Sequence, residues 1–260
     1  MTADIKTIAA HGCYGVACVT ALTVQSTAGV RRVRAVSPKL VAETLEELDS
    51  DIAISAVHVG MLGSGRVVQV VGDFLEKSQL PNVVLDPILK SSSGAGLLDS
   101  SGSRLLIRRL LPLCTVVTPN VDEAAALTGL AVTGLEQMRA AAAKLHAMGA
   151  ANVVITGGHL EKAIDLLSFT SRRGIEQEVF KSDRLQSNST HGTGCAFATA
   201  MSCHLARGRG LPEAVLLAKA YVAAAIANAH PLGQGVGPVH HLYRMEQQRR
   251  VVINDPEPVS

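Results

Sequence analysis

Short β-rich apolar runs alternate with helical patterns along nearly the whole chain, and this alternation restricts the fold more than any single residue does. Strands are expected at Gly15–Val24, Val33–Val36, Ile52–Val59, Val83–Asp86, Thr115–Thr118, Val153–Thr156 and Asp165–Phe169. Helices are expected at Pro38–Leu48, Gly65–Lys77, Ser100–Leu111, Val121–Leu127, Leu135–Met148, Gly194–Arg207 and Pro212–Ala229. Such spacing reads as a mostly parallel sheet with helices on both faces, an α/β architecture. The 260 residues, 47% of them hydrophobic, suffice to bury a large core. No repeat, low-complexity linker or composition shift divides the chain, so residues 1–260 read as a single domain. The polar tail, residues 244–260, ends Asp255-Pro256-Glu257-Pro258 and is expected to fray.

Composition narrows the function by exclusion. Net charge is only +2, and the basic clusters Arg31-Arg32-Val33-Arg34, Arg108-Arg109 and Arg249-Arg250 are short. Aromatics are 3% with no Trp, which removes the stacking platforms of nucleic-acid binders. Cys13, Cys18, Cys114, Cys195 and Cys203 are odd in number and form no Cys-x-x-Cys pair, as in a reduced, cytoplasmic protein. The histidines show no His-x-x-x-His or similar spacing, so a zinc site is not expected. Apolar runs are short and broken, and Met1–Lys6 lacks the apolar core of a signal peptide, so neither a membrane partner nor secretion is expected.

One segment carries chemistry more specific than the rest. In Thr190-His191-Gly192-Thr193-Gly194-Cys195 a glycine-rich turn opens directly into a helix. Converging backbone N–H groups and the positive end of the helix dipole form a site for an anion, a phosphate in transfer being the natural occupant. The same field is expected to lower the pKa of Cys195, making a thiolate that takes the proton of a substrate hydroxyl. The plain alternative is a small cysteine in an Ala-rich core helix.

Ligands in open α/β sheets bind beyond the carboxyl ends of strands. Gln25, Gly60-Met61-Leu62-Gly63, Asp86-Pro87, Thr118-Pro119-Asn120 with Glu123, and Gly157-Gly158-His159 all fall at such ends. Five polar motifs on one rim point to a shared cleft.

These residues resemble the hydroxymethylpyrimidine/phosphomethylpyrimidine kinases of thiamine biosynthesis, in the ribokinase-like superfamily. Matching segments run in order over nearly the whole chain. They include Ala3-Asp4-Ile5-Lys6-Thr7, Thr20 through Gln25, His58-Val59-Gly60-Met61-Leu62, Val84-Leu85-Asp86-Pro87 and Thr118-Pro119-Asn120-Val121-Asp122-Glu123. Gly157-Gly158-His159, His191 through Cys195, and Leu232 through His240 complete the series. Sugar kinases of this superfamily usually carry Asp at the Cys195 position, so the cysteine favours a pyrimidine or pyridoxal-type substrate. The resemblance implies a three-layer αβα sandwich, with ATP and Mg²⁺ as cofactors. It implies that Gln25 hydrogen-bonds the aminopyrimidine, Asp4 is a second substrate contact, and Met61 and Ile88 are apolar pocket walls. It places Gly192, Thr193, Gly194 and Cys195 at the transferring phosphoryl group, and Thr156, Gly158 and His191 near the nucleotide. Asp86, Asn120 and Glu123 would organise Mg²⁺ and its waters. Bland alternatives stand beside these roles: a turn cap for Gln25, a helix N-cap for Asp4, core packing for Met61 and Ile88, and a helix cap with a first-turn acid for Asn120 and Glu123. A homodimer is implied.

Three departures bear on activity. The family begins with a strand and a glycine loop before the motif at which this sequence starts, and without that strand neighbouring edges should be exposed. Thr156 stands where many relatives carry Lys. Lys90-Ser91-Ser92-Ser93-Gly94 places its Lys slightly earlier than the usual pattern, in a loop read as a lid over ATP. The expected activity is phosphorylation of 4-amino-5-hydroxymethyl-2-methylpyrimidine and then of its monophosphate. The alternatives are a pyridoxal or pyridoxine kinase, and a pyrimidine-binding protein without turnover.

Overall fold

The computed structural model describes residues 1–91, 94–158, 163–182 and 187–246. His159, Ser92, Ser93 and most of the expected frayed tail lie outside them.

The chain enters through helix α1 (Thr2–Ala10) and reaches a two-stranded antiparallel hairpin, β1 (Ala21–Ser26) and β2 (Gly29–Ala35). Helix α2 (Pro38–Asp51), strand β3 (Val57–Val59), helix α3 (Gly65–Ser78) and strand β4 (Val83–Leu85) follow. Next come helix α4 (Ser100–Leu105), which runs on into a π turn and a 3₁₀ turn ending at Leu113, and strand β5 (Val116–Val117). Helices α5 (Val121–Thr128) and α6 (Leu135–Ala147) precede the antiparallel series β6 (Asn152–Gly157), β7 (Ala163–Ser171) and β8 (Gly174–Ser182). Helices α7 (Thr193–Ala206) and α8 (Leu211–Ala227) complete the molecule. The main sheet runs in simple order β3-β4-β5-β6-β7-β8, with its first three pairings parallel and its last two antiparallel.

The period of two along each strand divides the interior into two cores. Val83, Leu85, Val117, Val153, Ile155 and Leu166 face one helical layer, where Val67, Val68, Leu110, Met138 and Leu145 are buried. Val84, Val116, Val154 and Leu167 face the other, where Phe197, Met201, Val215 and Tyr221 of α7 and α8 pack. The central strands are buried on both faces, which is why Val83-Val84-Leu85 and Val153-Val154-Ile155 read as unbroken apolar runs. This is the three-layer αβα sandwich expected.

Four expectations are corrected at element level. The strand expected over Gly15–Val24 begins only at Ala21, and belongs to the hairpin outside the main sheet. The strand expected over Ile52–Val59 forms only at Val57–Val59, because Ile52 ends α2 by donating its N–H to the Leu48 carbonyl. Helix α1 was not foreseen, and Asp4 sits inside it rather than at its N-cap. Strand β8 was also not foreseen; its sequence, Gly-Ile-Glu-Gln-Glu-Val-Phe-Lys-Ser, carries too much charge to announce a strand, and its outer position tolerates that charge. Among the described residues, strand β3 is an edge of the main sheet.

Candidate active site

The carboxyl ends of β3, β4, β5 and β6 open onto one cleft of about 1950 Å³. Its lining includes Asp4, Gln25, Met61, Asp86, Ile88, Asn120, Glu123, Thr156, His191, Gly192, Thr193, Gly194 and Cys195. Of the expected site residues only Gly158 is not among those lining it; Gly158 occupies the turn after β6, with open space around its Cα.

The glycine loop forms as read. Gly192 takes the left-handed conformation (φ 83°) as the N-cap of α7, a backbone shape that favours glycine. No side chain caps that helix, and its first residues, Thr193 and Gly194, line the cleft. The loop is held from behind: His191 N–H donates to the Gly237 carbonyl (2.9 Å), and Val239 N–H donates to the His191 carbonyl (3.2 Å). His191 Nε2 lies 3.1 Å from Gln25 Nε2, joining the hairpin to the loop across the cleft. His191 thus touches Gln25, the residue expected to meet the pyrimidine.

The expected lowering of the Cys195 pKa is overturned. Burial, the Asp86 charge and the Asp4 charge push the thiol well above its ordinary value. The helix field is outweighed because the first turn of α7 abuts two carboxylates that the chain brings from residues 4 and 86. Burial also drives Asp86 well above the usual carboxylate range, aided by Glu123, although the hydrogen bond from Cys195 opposes this. Glu123 is pushed up to about 7 by burial, with Asp122 contributing, against hydrogen bonds from Asn120 and Leu89.

Asn120 and Glu123 form the full capping box that the bland alternative described. Glu123 N–H donates to Asn120 Oδ1 and Asn120 N–H donates to Glu123 Oε2, each at 2.9 Å. The box fixes the Glu123 carboxyl on the cleft wall. Thr156 is held beside it, its N–H donating 3.0 Å to the Pro119 carbonyl.

Sequence reading missed three supporting groups. Asp165, on β7, accepts from Gly157 N–H (2.9 Å) and pairs with Lys219 of α8 (2.5 Å), bracing the end of β6. Thr199, one helical turn after Cys195, donates to Asp4 Oδ1 (3.0 Å) and meets His58 Nδ1 (3.0 Å). His58 stands between two acids, 3.5 Å from Asp4 Oδ1 and 4.0 Å from Asp86 Oδ2. Burial lowers the His58 pKa although Asp4 opposes it. Asp4 stays ionised: burial raises its pKa, but His58, the Met1 amine and Thr199 together bring it below the ordinary value. Only the position of His58 at the end of an apolar strand hinted at this network.

Residues 1–240 match the phosphomethylpyrimidine kinase family. The hydroxymethylpyrimidine/phosphomethylpyrimidine kinase of Streptomyces coelicolor is 42% identical over 240 residues, 92% of this chain and 87% of that protein. The thiamine biosynthesis bifunctional protein ThiED of Geobacter sulfurreducens is 42% identical over 249 residues; these are 95% of this chain, which spans about half the length of that relative (50%). Among solved structures, the ADP complex of Bacillus subtilis pyridoxal kinase superposes with a TM-score of 0.84 at 32% identity, covering 94% of this chain and 93% of the other. The fold is therefore ribokinase-like, the family's nucleotide is ATP, and the chain belongs to the phosphomethylpyrimidine kinase family of phosphotransferases.

Proposed function

We propose that this chain transfers the γ-phosphoryl group of ATP to the hydroxyl of 4-amino-5-hydroxymethyl-2-methylpyrimidine, and then phosphorylates the monophosphate. The observation that carries this reading is the Cys195 thiol, hydrogen-bonded to Asp86 at the mouth of the Gly192–Gly194 loop and lining the same cleft as Gln25. Gln25 offers both donor and acceptor to an aminopyrimidine edge. Met61 and Ile88 supply apolar walls, and Asp4, kept ionised, presents an acceptor. Cys195, which would lose its proton to solvent as the cation and substrates fill the cleft, takes the proton of the substrate hydroxyl. The attacking oxygen then meets phosphorus over the loop amides, where positioning and electrostatics supply most of the catalysis.

The acidic wall fits Mg²⁺. Glu123 is close enough to raise the pKa of Asp86 and is fixed by its cap, so two oxygen donors await a hard cation. Asp86 and Glu123 would hold the ion and its waters, with Asn120 orienting Glu123. Bound there, Mg²⁺ would neutralise charge on the triphosphate. Thr156 flanks the nucleotide side of the same cleft, and His191 stands beside Gln25. A homodimer is part of the same reading, supported by the exposed apolar Leu22 and Val24 on the hairpin.

The test is ADP release with MgATP and hydroxymethylpyrimidine, with pyridoxal in parallel. Turnover on the pyrimidine supports the proposal. Turnover on pyridoxal alone favours the second reading, a pyridoxal kinase, for which the likeness to the B. subtilis enzyme speaks. Folded protein that turns over neither would be a binding protein.

A further inference from the structure

Away from the cleft, three side chains with metal-binding atoms meet at the C-terminal end of α8. His230 lies two residues beyond Asn228, which closes that helix. His240 returns to the same place after the Pro231–Val239 loop, and Glu246 comes from the helical turn over 243–246. Their ligand atoms all lie within 4.8 Å of one another. His240 Nε2 is 2.8 Å from Glu246 Oε2, and His230 Nε2 is 4.0 Å from the same oxygen. The two imidazole centroids are 5.9 Å apart.

Two ligand atoms bound at about 2.0–2.2 Å to a tetrahedral zinc ion stand roughly 3.3–3.6 Å from each other. The observed 2.8 Å and 4.0 Å bracket that separation, so side-chain shifts of under about 1 Å would seat an ion. The scaffold beneath is firm. His240 N–H donates to the Ala225 carbonyl of α8 (2.9 Å), and Tyr221 Oη donates to the His241 carbonyl (2.9 Å). Tyr221 and Tyr243 are both buried, which anchors the turn that carries Glu246. The carbonyl end of α8 adds negative potential beside His230, favourable to a cation. Two imidazoles and one carboxylate suit a borderline transition-metal ion, whereas Mg²⁺ and Ca²⁺ prefer oxygen alone.

We propose that His230, His240 and Glu246 form a binding site for a transition-metal dication of the zinc class, with a fourth position open to water. The site is separate from the catalytic cleft, and its ligands, spaced by ten and six residues, follow no short motif. The ion would staple both ends of the loop whose Gly237 carbonyl holds His191 and whose Gly235 N–H donates to Thr27 Oγ1 of the hairpin (3.2 Å).

The test uses the full chain, stripped of metal by chelation. Zn²⁺ alone is titrated calorimetrically, and Co²⁺ is followed by absorption. The expected result is one ion per chain, a raised thermal midpoint, and a cobalt spectrum without a thiolate charge-transfer band. His230→Ala and His240→Ala should each weaken uptake by at least about tenfold. His230 is exposed, so its variant should melt like the metal-free parent; this separates lost binding from lost folding. Uptake unchanged in both variants, a thiolate band pointing to a cysteine, or no uptake near about 100 μM Zn²⁺ would each overturn the proposal.

Discussion

Cys195 is a thiol that its surroundings hold protonated, and this changes what its removal should do. Cys195→Ala deletes the proposed proton carrier but leaves the loop amides in place. Phosphoryl transfer should fall by roughly 10²–10⁴, the usual worth of general-base catalysis, with nucleotide affinity nearly unchanged. Turnover and nucleotide titration on the same preparation check this. Glu123 caps α5 and is proposed to hold Mg²⁺, and one substitution can separate the two. Glutamine also completes a capping box, so Glu123→Gln should keep the melting temperature within a degree or two while cutting activity and weakening Mg²⁺ dependence. If kcat is unchanged, the residue serves only as a cap. Gln25→Ala should raise the pyrimidine KM by an amount equivalent to about 1–3 kcal/mol, because polar ring atoms would lose their partner. An unaltered KM rejects that contact. At this scale the sequence was legible wherever a motif is local, as in Gly192-Thr193-Gly194-Cys195 and Asn120-x-x-Glu123. The charge state of Cys195 was not legible: it depends on Asp4 and Asp86, which only the fold brings alongside.

At the scale of elements, the double-sided strands Val83–Leu85 and Val153–Thr156 were readable because burial on both faces leaves an apolar run. Strand β8 and helix α1 were not. The first carries glutamates on an outer strand, and the second is a short, mixed stretch whose helicity depends on packing against α7. The β1–β2 hairpin and the Leu232–Pro238 loop depend on each other. A Cβ at Gly235 would run into the Thr27 backbone, and Gly235 N–H already bonds Thr27 Oγ1 (3.2 Å). Gly235→Ala should therefore push the hairpin tip away and with it Gln25. The expected outcome is a several-fold rise in the pyrimidine KM with little change in thermal stability, measured by steady-state kinetics beside a thermal melt.

For the whole molecule, acid should be the weak point, and the histidines behind α7 show why. Burial, with His11 and Arg207 adding to it, lowers His204 to about 4, and burial likewise lowers His11, whose ring lies edge-on to His204 at 5.1 Å. Unfolded, each would titrate near 6.5. Between those values the unfolded chain binds more protons than the folded one, so stability should be fully present above about pH 6.5 and be lost progressively toward pH 4. Denaturant melts across that range check the direction. His204→Gln should flatten the slope, and a slope unchanged by the substitution would assign acid sensitivity to other groups. Composition could bound the class of protein but could not foresee this, because two histidines 193 positions apart meet only once α1 lies on α7.

The hydrogen bond from Cys195 to Asp86 also bears on chemical durability. Peroxide and alkylating agents attack thiolates far faster than thiols. A cysteine kept protonated by burial and two neighbouring acids is therefore inert while the cleft is empty. The enzyme would carry its base through an oxidising episode undamaged, and expose a reactive sulfur only while substrates cover it.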